Sequence, residues 1–137
     1  MTSTELANLS KIGKLKPEAF DANERAGLLR SAIDRLQDAR IPSLSLISRF
    51  DLAYNAAHAA ALAALRSHGY RSENRFLVFQ CLEHTLGFTA AQWRLLDLAH
   101  KKRNLAEYEG DLDVTAGFVD ELIEQVAILV EAVQDLT

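Results

Sequence analysis

The chain has 137 residues, of which 49% are hydrophobic and 25% charged, and its net charge is −4. These values are typical of one globular domain with a single core, and the acidic balance argues against general nucleic-acid binding. A single cysteine, Cys81, excludes an internal disulfide bond. We expect a cytoplasmic protein without a membrane contact, because residues 1–5 lack the features of a secretory signal and no apolar run reaches the roughly 18 residues that a membrane-spanning helix needs.

Apolar residues at helical spacing predict helices along the whole chain and no strand. After a short helix or extension in residues 1–20, we expect helices near residues 21–40, 43–66, 73–86, 89–109 and 114–136. Pro42, Gly69, Gly87 and Gly110 separate these segments, since proline and glycine interrupt helices. The predicted fold is all-α, an up-and-down bundle of about five helices in which residues 21–137 form one domain.

Two surfaces of the predicted bundle are suited to close packing. Residues 56–64 contain seven alanines, and the last helix has apolar residues alternating at three and four positions. Together these two apolar surfaces are larger than the area that one small bundle needs to bury. We therefore expect a homodimer with two-fold symmetry.

The candidate site lies at the end of the fourth long helix. His100, Arg103, Asn104, Glu107 and Tyr108 fall within an arc of roughly 140° if each residue turns the helix by about 100°. The opposite side is predicted to face the core with Leu95, Leu98, Ala99, Leu105 and Ala106. The charge distribution also changes here, because all 15 Lys and Arg residues lie at or before Arg103, and 9 of the 19 Asp and Glu residues follow it.

Three segments resemble the HEPN (higher eukaryotes and prokaryotes nucleotide-binding) superfamily of small helical bundles. They are RFDLAYNAA at residues 49–57, HGYR at residues 68–71 and KRNLAEYEG at residues 102–110. The hallmark of the family is an Arg, then a polar residue that is often Asn, and a His four to six positions after the Arg. Arg103 and Asn104 match the first two places, whereas Tyr108 stands where the family has its His.

The resemblance implies a metal-independent RNA-cleaving site that two copies build across a dimer interface. In such a site the Arg stabilises charge on a phosphate and the His moves protons. Tyr108 is a poor replacement, because a phenol keeps its proton at neutral pH. Whether any enzymatic activity remains is therefore open. The resemblance also implies a toxin–antitoxin pair, in which a nucleotidyltransferase-type antitoxin is a possible partner.

Three functions remain open at this stage. The first is a component of a toxin–antitoxin or defence system that contacts RNA or nucleotide through Arg103 and Asn104. In this function Arg103 and Tyr108 are the catalytic candidates. The binding candidates are Asn104, His100, Lys102 and Glu107. The second is a catalytically inactive HEPN-like dimer that serves as a protein–protein interaction module. The third is a structural helical bundle without a ligand. We expect no cofactor and no metal, since Cys81 and His84 supply only two of the ligands that a zinc site requires.

Overall fold

The computed structural model of the protein describes residues 4–110 and 112–136. These residues form seven helical segments and one two-stranded antiparallel ladder. In chain order the elements are α1 (Thr4–Lys11), β1 (Lys16–Pro17), α2 (Ala22–Ala39), α3 (Leu46–Ser67), β2 (Tyr70–Arg71), α4 (Arg75–Gln80), α5 (Leu82–Thr85), α6 (Ala90–Glu109) and α7 (Ala116–Gln134). The predicted helical bundle is confirmed. None of the described helices is both long and apolar enough to cross a membrane.

Two details of the predicted element order are wrong. The helix expected near residues 73–86 consists of two short segments, α4 and α5, which meet at Cys81. The chain also contains strands, because Lys16 pairs with Arg71 and Pro17 with Tyr70 in the ladder between β1 and β2. A two-residue ladder is too short to produce the alternating pattern by which a strand is recognised in a sequence.

Local hydrogen bonds explain where α6 begins and ends. The Thr89 hydroxyl accepts the Gln92 backbone N–H at 3.3 Å, and the Gln92 side-chain oxygen accepts the Thr89 N–H at 2.9 Å. This capping box satisfies two N–H groups that the first turn of a helix leaves unpaired. At the other end Gly110 has a φ of 74°, a left-handed conformation that glycine adopts without a steric cost.

The alanine-rich α3 is the centre of the bundle. Of its 22 residues, 13 are buried, including every alanine of the helix. Helices α2, α4, α5, α6 and α7 all pack against it. The small side chains allow the neighbouring helices to approach closely. The alanine surface is therefore used within the monomer, and the expectation that it is left over for a dimer interface is wrong.

The orientation of α6 differs from the prediction. Leu98 and Leu105, which were expected to face the core, are 44% and 55% exposed. Ala99 is buried as predicted. The rest of the inward side is formed by Trp93, Leu96, Asp97, His100 and Asn104, at helical spacing. The difference arises because His100 and Asn104 pack toward other polar side chains inside the bundle, which a hydrophobic pattern does not reveal.

A buried arginine joins the end of α3 to the segment before α2. Arg66 is 1% exposed. Its guanidinium donates hydrogen bonds to the Glu18 carbonyl at 2.8 Å, to the Ala19 carbonyl at 2.6 Å and to the Glu24 carboxylate. Arg71 pairs with the Glu18 and Glu24 carboxylates at 2.7 and 2.5 Å. The hydrogen bond from Arg71 lowers the pKa of Glu18. This network holds the β1–β2 ladder against α2 and α3.

Replacing Arg66 with Met should lower the free energy of unfolding by about 3 kcal/mol, because two backbone carbonyls and the Glu24 carboxylate lose a buried donor. Urea unfolding followed by circular dichroism measures this change. Arg30→Met is the matched control, since Arg30 is exposed on α2 and has no side-chain partner among the described residues. The control should stay within about 0.5 kcal/mol of the wild type. Equal losses in the two variants would show that the Arg66 network does not stabilise the fold.

Candidate functional site

Side chains from three helices surround Tyr54 at the junction of α3, α4 and α6. We use the name Tyr54 cluster for Tyr54, His58, Arg75, His100, Arg103 and Asn104. Tyr54 is fully buried, and the other five side chains are partly buried. Because the six residues lie on α3, α4 and α6, only the packing of the bundle brings them together.

His100 is held through both nitrogens of its ring. Nε2 lies 3.2 Å from the Asn104 amide nitrogen, and Nδ1 lies 2.9 Å from the Tyr54 hydroxyl oxygen. An amide nitrogen only donates, so Nε2 of the neutral ring accepts and Nδ1 carries the proton that it donates to Tyr54. The ring also stacks on Tyr54 at a centroid distance of 6.1 Å. With both nitrogens engaged, His100 orients its neighbours.

Two arginines lie over the ring of Tyr54. The guanidinium carbon of Arg103 is 5.3 Å from the ring centroid, and that of Arg75 is 5.4 Å away. Both distances are within the range of a cation–π interaction. Arg75 also donates a hydrogen bond from Nη1 to the Tyr54 hydroxyl at 3.1 Å. The buried tyrosine thus fixes two positive charges at the surface of the cluster.

The pKa values of the two histidines reflect this positive charge. Burial first, and then Arg75, His100 and Arg103, lower the pKa of His58 to about 4. Burial also lowers the pKa of His100, and Arg75, Arg103 and Lys101 add to this effect while Asp97 opposes it. Both imidazoles are therefore neutral at pH 7. The charge of the cluster is carried by its two arginines.

The carboxylates near the cluster compensate this charge only in part. Glu107 lies 3.1 Å from Arg103, one helical turn away, and its side chain is 58% exposed. Asp97 pairs with Lys101 at 3.1 Å. Among the described residues, Arg75 has no carboxylate partner. The arrangement is suited to an anion, because guanidinium groups bind the oxygens of phosphates and carboxylates in a fixed, planar geometry.

The structure unites some of the predicted site residues and separates others. His100, Arg103, Asn104 and Glu107 lie together at or beside the cluster. Lys102 points elsewhere, since its ammonium donates to the Asp113 carbonyl at 2.9 Å and lies 5.3 Å from the ring centroid of Phe118. Tyr108 is 90% exposed near the end of α6, and its side chain makes no hydrogen bond or ring contact with the cluster among the described residues.

The sequence did not indicate three members of the cluster, namely Tyr54, His58 and Arg75. A signal for the first two was present, because Tyr54 and His58 stand one helical turn apart in a helix that otherwise buries alanine. Arg75 gave no comparable signal. It is the first residue of a six-residue helix and follows a polar segment, so it resembles any surface arginine.

The described residues contain no group of three or more His, Cys, Asp or Glu side chains that could hold a metal ion. Cys81 is buried, and burial raises the pKa of its thiol to about 11, so it is protonated at neutral pH. Comparison with known proteins found no matching family model, no matching curated protein and no matching solved structure. The Tyr54 cluster is therefore the basis for assigning a function.

The lowered pKa of His58 predicts that stability falls on acidification. The unfolded chain takes up this proton near pH 6.5 and the folded protein only near pH 4, so the unfolded state binds more protons between these values and stability rises with pH there. We expect His58 to contribute about 3 kcal/mol to the difference in unfolding free energy between pH 4 and pH 7. Urea unfolding of the wild type and His58→Gln at several pH values tests this. Equal slopes in both proteins would contradict it.

Proposed function

We propose that the protein is a HEPN-like component of a prokaryotic toxin–antitoxin or defence system that binds the phosphate of RNA or of a nucleotide through Arg103. The observation that carries the proposal is the position of Arg103, which is partly buried and shares the ring of Tyr54 with a second arginine, Arg75. The match of Arg103 and Asn104 to the first two places of the HEPN motif supports the same assignment.

Arg103 is suited to be the principal phosphate ligand. Its guanidinium can bind two phosphate oxygens at once, which a lysine ammonium cannot reproduce. Glu107 is its only carboxylate partner among the described residues, and this exposed pair stabilises the fold by a few tenths of a kcal/mol at most. An incoming phosphate therefore displaces Glu107 at little cost. Asn104 contributes indirectly, because its amide holds His100 and His100 holds Tyr54.

The arrangement favours binding over catalysis. General acid–base catalysis needs a group that can exchange a proton with the substrate near neutral pH. Both nitrogens of His100 are already hydrogen-bonded, and Tyr108 stands outside the cluster. These contacts are consistent with the loss of the family's His. We therefore expect phosphate binding without RNA cleavage.

The second candidate function is a protein–protein interaction module. The observation that favours it is the exposure of Leu98 and Leu105, which lie seven residues apart and so on one side of α6. Exposed apolar residues at this spacing are typical of a helix that packs against a partner helix. We propose that a second copy of the chain covers this surface, which would place two Arg103 side chains in one dimer. A nucleotidyltransferase-type antitoxin is the possible second partner.

Phosphate binding should depend on Arg103 and improve when Glu107 is neutralised. We expect Arg103→Ala and Arg103→Lys each to weaken binding of AMP or of a short RNA by about tenfold or more, because both lose the bidentate contact. Glu107→Gln should strengthen binding by roughly twofold to threefold, since it removes a competing anion. Isothermal titration calorimetry measures the affinities.

Incubation of bulk RNA with the wild type and with Arg103→Ala distinguishes binding from cleavage. Unchanged RNA is the expected result. Cleavage that disappears in Arg103→Ala would show that a catalytic group exists which the contacts of the Tyr54 cluster do not reveal. If neither AMP nor RNA binds to the wild type, the phosphate-binding proposal fails and the interaction module remains.

Dimer formation should depend on the outward side of α6. The double variant Leu98→Glu, Leu105→Glu should be monomeric at micromolar concentration, because two buried carboxylates per subunit would oppose an apolar contact. Size-exclusion chromatography with light scattering measures the mass. Ile47→Glu is the control, since Ile47 is 59% exposed on α3 and should leave the dimer intact. A monomeric wild type would contradict the proposed dimer.

A further inference from the structure

Arg75 has fewer polar partners than Arg25 and Arg71, two other partly buried arginines of the bundle. Arg25 donates to Ser67 and to two carbonyls at the end of α7, and Arg71 pairs with two carboxylates. Arg75 donates a single hydrogen bond, to the neutral hydroxyl of Tyr54. A guanidinium has five N–H donors, so four of them have no partner within the described residues.

The ring of Tyr54 is shared by this guanidinium and that of Arg103. Both guanidinium carbons lie within 5.4 Å of the ring centroid. Two like charges over one partly buried ring repel each other, and an anion that contacts both of them offsets the repulsion. Tyr54 is itself fixed by the Nδ1–H of His100 at 2.9 Å, so the spacing of the arginines is set before a ligand arrives.

We infer that Arg75 and Arg103 bind one phosphate monoester together, and that Arg75 gives the site a preference for a dianionic terminal phosphate over an internal phosphodiester. This inference rests on the proposed phosphate-binding function. A monoester carries close to two negative charges at neutral pH and a phosphodiester carries one, so the second arginine favours the monoester. Such a phosphate occurs on a mononucleotide and at the end of an RNA strand.

The charge of the rest of the protein supports a compact ligand. The chain has a net charge of −4, and 9 carboxylate side chains follow Arg103 with no Lys or Arg among them. A long polyanion meets more of this net negative charge than a compact ligand does. A single terminal phosphate needs only the Tyr54 cluster, where Glu107 is the one carboxylate among the described residues that pairs with either arginine.

The test compares AMP, a monoester, with cyclic AMP, a phosphodiester with the same base and sugar. By isothermal titration calorimetry the wild type should bind AMP roughly tenfold more tightly than cyclic AMP. Arg75→Gln should weaken the binding of AMP by about tenfold and the binding of cyclic AMP by much less, so that the preference for AMP is lost. Arg75→Lys should restore part of the preference, because it restores the charge without the planar donors.

Arg94→Gln is the matched control. Arg94 also lies over an aromatic ring, with its guanidinium carbon 5.6 Å from the ring centroid of Trp93, but it is exposed and outside the cluster. The control makes the same charge change and should leave both affinities unchanged. Circular dichroism and urea unfolding establish that each variant is folded. A second comparison, of one RNA oligonucleotide with and without a terminal phosphate, distinguishes a nucleotide ligand from an RNA end.

The outcomes separate this inference from the proposed function. If Arg103→Ala abolishes binding and Arg75→Gln keeps the preference for AMP, the role of Arg75 is overturned and phosphate binding by Arg103 stands. If RNA binds equally well with and without a terminal phosphate, and AMP does not bind, the role of Arg75 is likewise overturned and phosphate binding by Arg103 stands. If the wild type binds none of these probes, both proposals fall.

Discussion

The small side chains of α3 are the constraint on which the rest of the structure depends. Alanine allows α2 and α7 to approach the helix closely, so α3 is buried around most of its circumference. One stripe of the helix is different, because Phe50, Tyr54 and His58 follow each other at intervals of one turn. Phe50 and Tyr54 are parallel with centroids 6.3 Å apart, and His58 meets Phe79 edge to face. These large rings hold α4 and α6 farther from α3 than alanines would, and the Tyr54 cluster occupies that space.

The buried and partly buried arginines of this bundle differ in whether their N–H donors are occupied. Only arginines with free donors suggest a ligand site. Arg66 is buried among carboxylates and carbonyls, so its charge is compensated and its donors are occupied. Such a residue holds segments together. Arg75 and Arg103 lie instead on an aromatic ring, which attracts a cation but accepts few hydrogen bonds. Both arginines are partly exposed and have donors without a partner among the described residues, as reversible binding of an anion requires.

The contacts of His100 suit the proposed site to binding a phosphate and leave no free ring nitrogen for proton transfer. A general base must present a free nitrogen to its substrate, and both nitrogens of His100 are engaged by Tyr54 and Asn104. The same two contacts orient the tyrosine that spaces the arginines. In the proposed site His100 and Asn104 are therefore positioning residues, and Arg103 and Arg75 are the side chains proposed to contact the phosphate. The exposed Leu98 and Leu105, on the outward side of the same helix, are available for a second chain without disturbing this arrangement.

The helical class, the approximate helix limits and the capping box of α6 could be predicted from the sequence, because these depend on residues within a few positions of each other. The sequence also pointed to Arg103, Asn104 and His100, which stand on one helix at adjacent turns. The inward side of α6 and the position of Arg75 beside Tyr54 depend on tertiary packing. Arg75 and Tyr54 are 21 positions apart, and their contact follows from how α4 packs on α3. Hydrophobic periodicity located the apolar residues of α6 but could not show that polar groups inside the bundle would receive His100 and leave Leu98 and Leu105 exposed.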